Sequence, residues 1–365
     1  MKRILALAAV LAYSGMSHAQ SALLHYDTPA TFFEEALPIG NGTQGAMIYG
    51  GVDEERISLN DITLWTGEPD RQVYSPEAYK SIGAIRQALF REDYRRADAL
   101  QKAVQGHYSQ NYQPLGTLTI TSPGQSKVEG YSRTLDISRA IATVTCGDRQ
   151  REYFASAPDS VIVIRLKDTS PSERPGGAVF RYHCQLPHQQ KATVSKDGVA
   201  EITIDGYAAW SSKPGYAGGA KGFQYDSNRG IHFRTIVRIV NKDGEVKAVN
   251  GDELRLSGCT EALILIANVT SFNGNDKDPV REGRDYKALV RRRIDHATRP
   301  TTPHSTTACS STSAPRMPPS PPKPPSSSCA PTPNSNSTTP TSRNSTSTTA
   351  ATCSSAVRAR QACRP

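Results

Sequence analysis

Residues 301–365 contain no Leu, Ile, Phe, Tyr, Trp, Gly, Asp or Glu. Without large apolar side chains a segment cannot offset about 1–2 kcal/mol of backbone entropy per ordered residue, so this stretch is expected to be a disordered tail. It holds instead 15 Ser, 13 Thr and 12 Pro, with five Arg and one Lys. Six units of the chain's net charge of +9 therefore sit in the tail, and two more belong to Lys2 and Arg3. The body between is left near neutrality. That removes the case for a nucleic-acid partner which the whole-chain pI of about 9.2 would otherwise make.

Ligand spacing is missing too. Cys146, Cys184 and Cys259 lie in the body and Cys309, Cys329, Cys353 and Cys363 in the tail, none in a C-x-x-C arrangement. His25, His107, His183, His188, His232 and His296 are equally scattered, so neither a metal nor a cofactor is expected. The three body cysteines permit one disulfide but a large β domain does not require it. No membrane span is expected, because no apolar run is long enough to cross a bilayer. The apolar stretch Ile4–Leu11 follows Lys2-Arg3 and precedes Ser17-His18-Ala19, the pattern of a secretory signal peptide. Residues 1–19 are read as that peptide. The expected product is exported, periplasmic or secreted, after cleavage near Ala19.

What is present begins with a false friend. Gly40-Asn41-Gly42-Thr43-Gln44-Gly45 spells G-x-G-x-x-G, which binds a dinucleotide only where it follows a buried strand and opens a helix. Here Ala46–Val52 and Ile57–Trp65 are two apolar runs around the charged stretch Asp53–Arg56, a hairpin pattern, and the double glycine at 50 and 51 would break a helix. The glycines are read as serving tight turns, and Asp53-Glu54-Glu55 as a solvated turn rather than a catalytic pair.

Further strand-like runs occupy Thr117–Thr121, Ala140–Thr145, Ser160–Leu166, Ala200–Ile204, Gly230–Val240 and Ala262–Ala267. Turns such as Lys196-Asp197-Gly198 and Asn250-Gly251-Asp252 separate many of them at sandwich-like intervals. Pro76–Val104 instead has Ile82, Ile85, Leu89 and Phe90 on one helical face, and Asp285–Asp295 has Tyr286, Leu289 and Val290 on another. The pattern predicts a mainly β fold: a large antiparallel β-sandwich with a short helical insertion, followed by a disordered Ser/Thr/Pro-rich tail.

Five stretches then point to a family: ALPIGNGTQGAMIYGG, EERISLNDITLWTGEP, YQPLG at Tyr112–Gly116, YSRTLDIS at Tyr131–Ser138 and REYFASAPDSVIVIRL at Arg151–Leu166. In this order they resemble the N-terminal domain of a bacterial α-L-fucosidase of glycoside hydrolase family 95. The resemblance covers about 24–298. It implies a β-sandwich followed by a helical linker and an (α/α)6 barrel, which supplies the acid and the water-activating group of an inverting hydrolysis of terminal α-L-fucosyl linkages. No position of this chain matches those catalytic motifs, so no catalytic residue is assigned. The implied partners are a fucosylated glycan and the missing barrel itself.

The tail suggests why the barrel is missing. Thr346–Val357, T-S-T-T-A-A-T-C-S-S-A-V, can be encoded so that the neighbouring frame reads Y-F-N-Y-G-R-Y-L-L-I-S-S, similar to a motif of the family's catalytic domain. Thr301–Cys309 can likewise hide D-Y-x-x-L-x-D-R-V. A frameshift near Asp295–Pro300 is expected. The domain reading is a signal peptide over 1–19, a β-sandwich domain over 20–284, the start of a helical linker over 285–299 and an out-of-frame tail over 300–365.

Within the family-like loops, Asn41, Gln44, Asn60, Trp65, Tyr112 and Gln113 are the candidates for contact with substrate or barrel. Aromatic faces stack on sugars and amides bond their hydroxyls, while the same groups also suit a domain interface. The alternative function is a non-catalytic carbohydrate-binding or adhesive module on a mucin-like stalk.

Overall fold

The computed structural model describes residues 22–69, 76–106, 109–122, 130–169, 177–213 and 222–299. The expected signal peptide and tail lie outside them. The first strands are β1 (Leu23–Tyr26), β2 (Leu37–Gly40), β3 (Gln44–Ile48) and β4 (Glu54–Asp61). Two short helices follow, α1 (Ile82–Phe90) and α2 (Tyr94–Gln101), before β5 (Gly116–Thr121). Next come β6 (Ser132–Asp136), β7 (Ile141–Cys146), β8 (Arg149–Ser156), β9 (Val161–Asp168), β10 (Ala178–His183), β11 (His188–Val194) and β12 (Ala200–Tyr207). A small pair, β13 (Ser211–Ser212) and β14 (Phe223–Gln224), precedes β15 (His232–Asn241), β16 (Glu245–Val249), β17 (Glu253–Ser257), β18 (Glu261–Thr270) and helix α3 (Tyr286–Thr298).

These strands build two large antiparallel sheets. One has nine strands in the order β1-β6-β7-β8-β9-β18-β15-β12-β11, and the other seven in the order β16-β17-β10-β5-β4-β3-β2. Period-2 alternation supplies each inner face: Ile57, Leu118 and Phe180 from the smaller sheet meet Tyr153, Ile164, Phe233 and Ile264 from the larger in one apolar core. The expected mainly β fold with large antiparallel sheets is the fold observed.

The G-x-G-x-x-G stretch is the β2–β3 hairpin. Gly40 pairs with Gly45 across it, Gly42 takes φ 88°, and the Asn41 carboxamide oxygen accepts from the amides of Thr43 (3.1 Å) and Gln44 (2.8 Å). An asparagine at such a position copies a backbone turn, and nothing here opens a helix.

The acidic run is different from the expectation. The turn closes at Gly50–Asp53 and β4 already begins at Glu54, so Glu55 shares the inward register of Ile57, Leu59 and Asp61. Glu55 is fully buried, not solvated. It accepts from the Gly50 amide (2.8 Å) and the Tyr153 hydroxyl (2.9 Å), and Arg151 stands 3.3 Å away. Burial pushes its carboxyl above the usual range against the pull of Arg151. Gly50 (φ 75°) lets Arg133 and Tyr131 close over the turn, since a β-carbon there would lie 2.6 Å from both the Arg133 side chain and the Tyr131 hydroxyl.

The apolar face expected of the helical insertion is not turned inward either. Ile82 and Leu89 are exposed and Phe90 is 86% exposed, while the buried residues of α1 and α2 are Ala88 and Ala97. Asp93 caps α2 by accepting from the Arg96 amide (3.1 Å).

Helix α3 starts where the sequence suggests, capped by Asp285, whose carboxylate accepts from the Ala288 amide (3.0 Å). It lies on the outer face of the nine-stranded sheet and buries Val290 and Ile294 against Val161, Val163, Ile236, Leu265 and Val269. Strands β15 and β18 are thereby covered on both faces, which is why they read as apolar runs rather than alternation. Arg238 joins the layers, donating to Glu201 (2.7 Å) on β12 and to Asp295 (2.6 Å) on α3, while Arg291 also bonds Glu201 (2.7 Å). None of Cys146, Cys184 and Cys259 forms a disulfide.

Candidate functional site

The candidate residues converge on one end of the sandwich, where β4 runs out into Ile62–Thr66 and the segment before β5 returns beside it. Asp61 organises the turn: its Oδ1 accepts from the Thr63 amide (2.9 Å) and hydroxyl (2.6 Å). The Gln113 amide donates to the Leu64 carbonyl (2.9 Å) and the Thr66 amide to Asn111 (2.8 Å), so the two segments are laced together with Trp65 bridged to Tyr112. Both rings are on the surface. Trp65 is 43% and Tyr112 39% exposed, in an edge-to-face pair with centroids 6.0 Å apart, and Ile62 beside them is 57% exposed. The Trp65 Nε1 donates to the Ile62 carbonyl (2.9 Å), and the Tyr112 hydroxyl donates to Asn60. Burial, then the Asp61 carboxylate, pushes the Tyr112 phenol up to about 12, so it remains a neutral donor.

Not all six candidates are available for contact. Asn60, Trp65 and Tyr112 are exposed, but Gln44 and Gln113 are buried and Asn41 is spent on its turn and on the Ser156 carbonyl (2.9 Å). Gln44 reaches across the sandwich to donate to the Asn268 carbonyl (2.7 Å), and its Oε1 accepts nothing among the described residues.

Sequence patterns missed what lies beneath the rim. Asn268 on β18 donates to Asp61 Oδ2 (2.7 Å) and accepts from the Thr235 hydroxyl (2.7 Å). Thr270 bonds Thr63 (2.6 Å), and because the Thr63 proton goes to Asp61, Thr270 is the donor. Arg293 of α3 donates to the Asn268 carbonyl (2.9 Å); burial pulls its guanidinium down, countered by Asp61. The network ties the two sheets and α3 together under the aromatic pair. Replacing Asn268 with Ala leaves a buried Asp61 oxygen and a buried Thr235 hydroxyl unmet, an expected loss of about 2–3 kcal/mol in urea unfolding. A loss below about 0.5 kcal/mol, the level of an ordinary surface change, would show that the network holds nothing.

A second loop cluster adjoins the first. The Gly67 amide donates to the Ala209 carbonyl (3.0 Å) and Thr66 bonds Ser212 (2.9 Å), bringing the other tryptophan, Trp210, to the same end. Arg229 lies 3.4 Å from the centroid of the Trp210 ring and pairs with Glu68. Chemically, this end offers aromatic faces and amides. Its carboxylates are engaged, Asp61 by three donors, Glu68 by Arg229 and Asp205 by Arg234. Ser156, Asp159 and His296 also meet, but Ser156 donates to Asp159 (2.7 Å), not to the imidazole, so the order is not that of a Ser–His–Asp relay.

Comparison with known proteins agrees with this picture of a β domain. Residues 24–275 match the family model described as Glycosyl hydrolase family 65, N-terminal domain, and the chain belongs to that family of glycoside hydrolase N-terminal domains. More narrowly, it is a fucosidase-like N-terminal domain. Alpha-L-fucosidase 2 of Arabidopsis thaliana is 28% identical over 270 residues, 70% of this chain and 31% of that protein. A probable alpha-fucosidase A of Aspergillus niger is 34% identical over 175 residues, 44% of this chain and 22% of that protein. The chain thus spans about a third or less of these relatives' length. Among solved structures, a putative kojibiose phosphorylase from human microbiome is matched at 10% identity and a TM-score of 0.33, over 77% of this chain and 33% of that one.

Proposed function

We propose that this chain is the N-terminal domain of an exported, inverting α-L-fucosidase of family 95, with acid and base supplied by a barrel that the chain as written does not encode. The observation that carries the reading is the match to Alpha-L-fucosidase 2 over 70% of the chain. The engaged state of Asp61, Glu68 and Asp205 supports it, since a general acid must present an available proton to the leaving oxygen. The exposed group Ile62, Trp65 and Tyr112 is then the face that receives the barrel. The tail from residue 300 is its coding region read in the wrong frame.

The test restores the neighbouring frame near codon 295 and compares both proteins on an aryl α-L-fucoside. The 365-residue chain is expected to fall more than about a thousandfold below the restored protein, because acid and base are lost together. Comparable rates would sink the proposal. In the restored protein Trp65→Ala should lower the melting temperature with KM unchanged, as docking requires. A raised KM with unchanged stability would instead make Trp65 a sugar contact, the property of a carbohydrate-binding module.

A further inference from the structure

The helical insertion belongs to the same end of the sandwich as the aromatic rim. It leaves the rim after Gly67, whose amide donates to the Ala209 carbonyl, and returns at Gln110, whose Oε1 accepts from the Thr66 hydroxyl (2.9 Å) and the Ser212 amide (3.1 Å). Between these anchors α1 and α2 pack chiefly on each other and on the 3-10 turns beside them. Among the described residues, the hydrogen bonds of the pair stay within the insertion, as where the Asp93 amide donates to the Ala88 carbonyl (3.0 Å) at the bend. The chain reverses there through Glu92, at φ 58°. Of the two helices only Ala88 and Ala97 are buried, while Phe90 (86%) and Tyr94 (65%) stand in solvent together with Ile82 and Leu89.

Such a pair is not self-sufficient. Helices of nine and eight residues fall short of the roughly 12–15 at which an isolated helix becomes even marginal in water, and two alanine methyls supply little packing. Stability must come from covering Ile82, Leu89 and Phe90, which the 3.6-residue period sets on one outward face of α1. A lipid surface is disfavoured as the cover. Helices that lie on membranes carry an excess of Lys and Arg, whereas between Ile82 and Gln101 four arginines stand against three carboxylates. A partner seated on the rim is favoured, because Ile62, Trp65 and Tyr112 lie at the root of the insertion. The match takes up only 31% of the Arabidopsis relative, so most of such a protein is structure outside this domain. We propose that α1 and α2 form an arm that grips the catalytic barrel, with Ile82, Leu89 and Phe90 seated in an apolar groove on the barrel's surface. This rests on the fucosidase reading and extends the docking face beyond the rim.

Hydrogen exchange of peptides covering residues 82–101, followed in the 365-residue chain and in the frame-restored protein, tests this. Exchange in the restored protein should be at least about tenfold slower, and Phe90→Ser should return it to the rate of the 365-residue chain. Phe90 is almost wholly exposed, so the same substitution should leave the urea midpoint of the 365-residue chain unchanged. A lowered midpoint would place Phe90 in the sandwich's own packing and overturn the arm. Hydrolysis of an aryl α-L-fucoside without protection of the helices would also overturn it and leave the fucosidase reading standing. Protection without hydrolysis would keep the arm and sink that reading, and the absence of both would sink both. Protection already present in the 365-residue chain and lost on dilution would give the apolar face to a second copy. Protection appearing only with phosphatidylglycerol vesicles would give it to a lipid surface, and either result overturns the proposal.

Discussion

A chain ended at Gly283 is expected to lose its cooperative unfolding transition and to bind a hydrophobic dye, although every strand of both sheets is still present. Removing α3 deletes buried Val290 and Ile294 and uncovers Val161, Val163, Ile236, Leu265 and Val269 on the sheet beneath. Large buried aliphatics contribute about 2–5 kcal/mol each. The half-exposed pairs that Arg238 makes with Asp295 and Glu201 with Arg291 add only about 0–1 kcal/mol each, because the buried Arg238–Glu201 pair remains. Set against a typical domain stability of about 5–15 kcal/mol, these losses suffice to unfold it. Urea denaturation of the two lengths decides the matter. If the shortened chain unfolds at the same midpoint, α3 is an appendage and the outer face of the sheet tolerates water.

Glu55→Ala should cost nearly as much from one side chain. It strips the Gly50 amide and the Tyr153 hydroxyl of their acceptor and leaves Arg151 without its counter-charge between the sheets, roughly 3–5 kcal/mol. Glu55→Gln, which keeps the shape, separates charge from packing through its pH dependence. Because the folded carboxyl is raised above its unfolded value by burial, its contribution is fully present below the ordinary glutamate range and is lost as pH rises through the folded value. The stability of the native protein relative to Glu55→Gln should therefore decline from acidic towards neutral pH. A difference that grows with rising pH would mean that Arg151 outweighs burial and holds the carboxylate ionised.

These two sites also mark where sequence reasoning works and where it stops. Strands with one solvated face are legible because alternation is local, and the β3–β4 hairpin was readable from the apolar runs on either side of Asp53–Arg56, with the glycines before it serving a tight turn. Glu55 was not, since a run of three acids resembles solvated charge; the available signal was its parity with Ile57 and Leu59, which places it inward together with Asp61. Helix α3 was legible from Asp285 and its periodic apolar positions, yet its partner was visible only as unbroken apolar runs in β15 and β18. The aromatic rim was anticipated at Trp65 and Tyr112. The network beneath it joins Asp61 to Asn268, 207 positions apart, and no local pattern encodes such a pair. Amides at Gln44 and Gln113 look like binding groups in a sequence but spend themselves on the fold.

Strand β18 sits sixth in the nine-stranded sheet, between β9 and β15, although it is the last strand synthesised. Until Thr270 has left the ribosome, the meander ending at β9 and the group built on β15 present bare apolar edges with no seam to join them. The domain is therefore expected to acquire its fold late and in a single step during translation, a schedule that leaves nearly the whole chain dependent on holding chaperones. Nascent chains stalled with residue 260 just outside the exit tunnel should be digested by protease throughout, and those stalled with residue 300 there should resist. Protection of the N-terminal strands in the shorter chains would show that they close without β18.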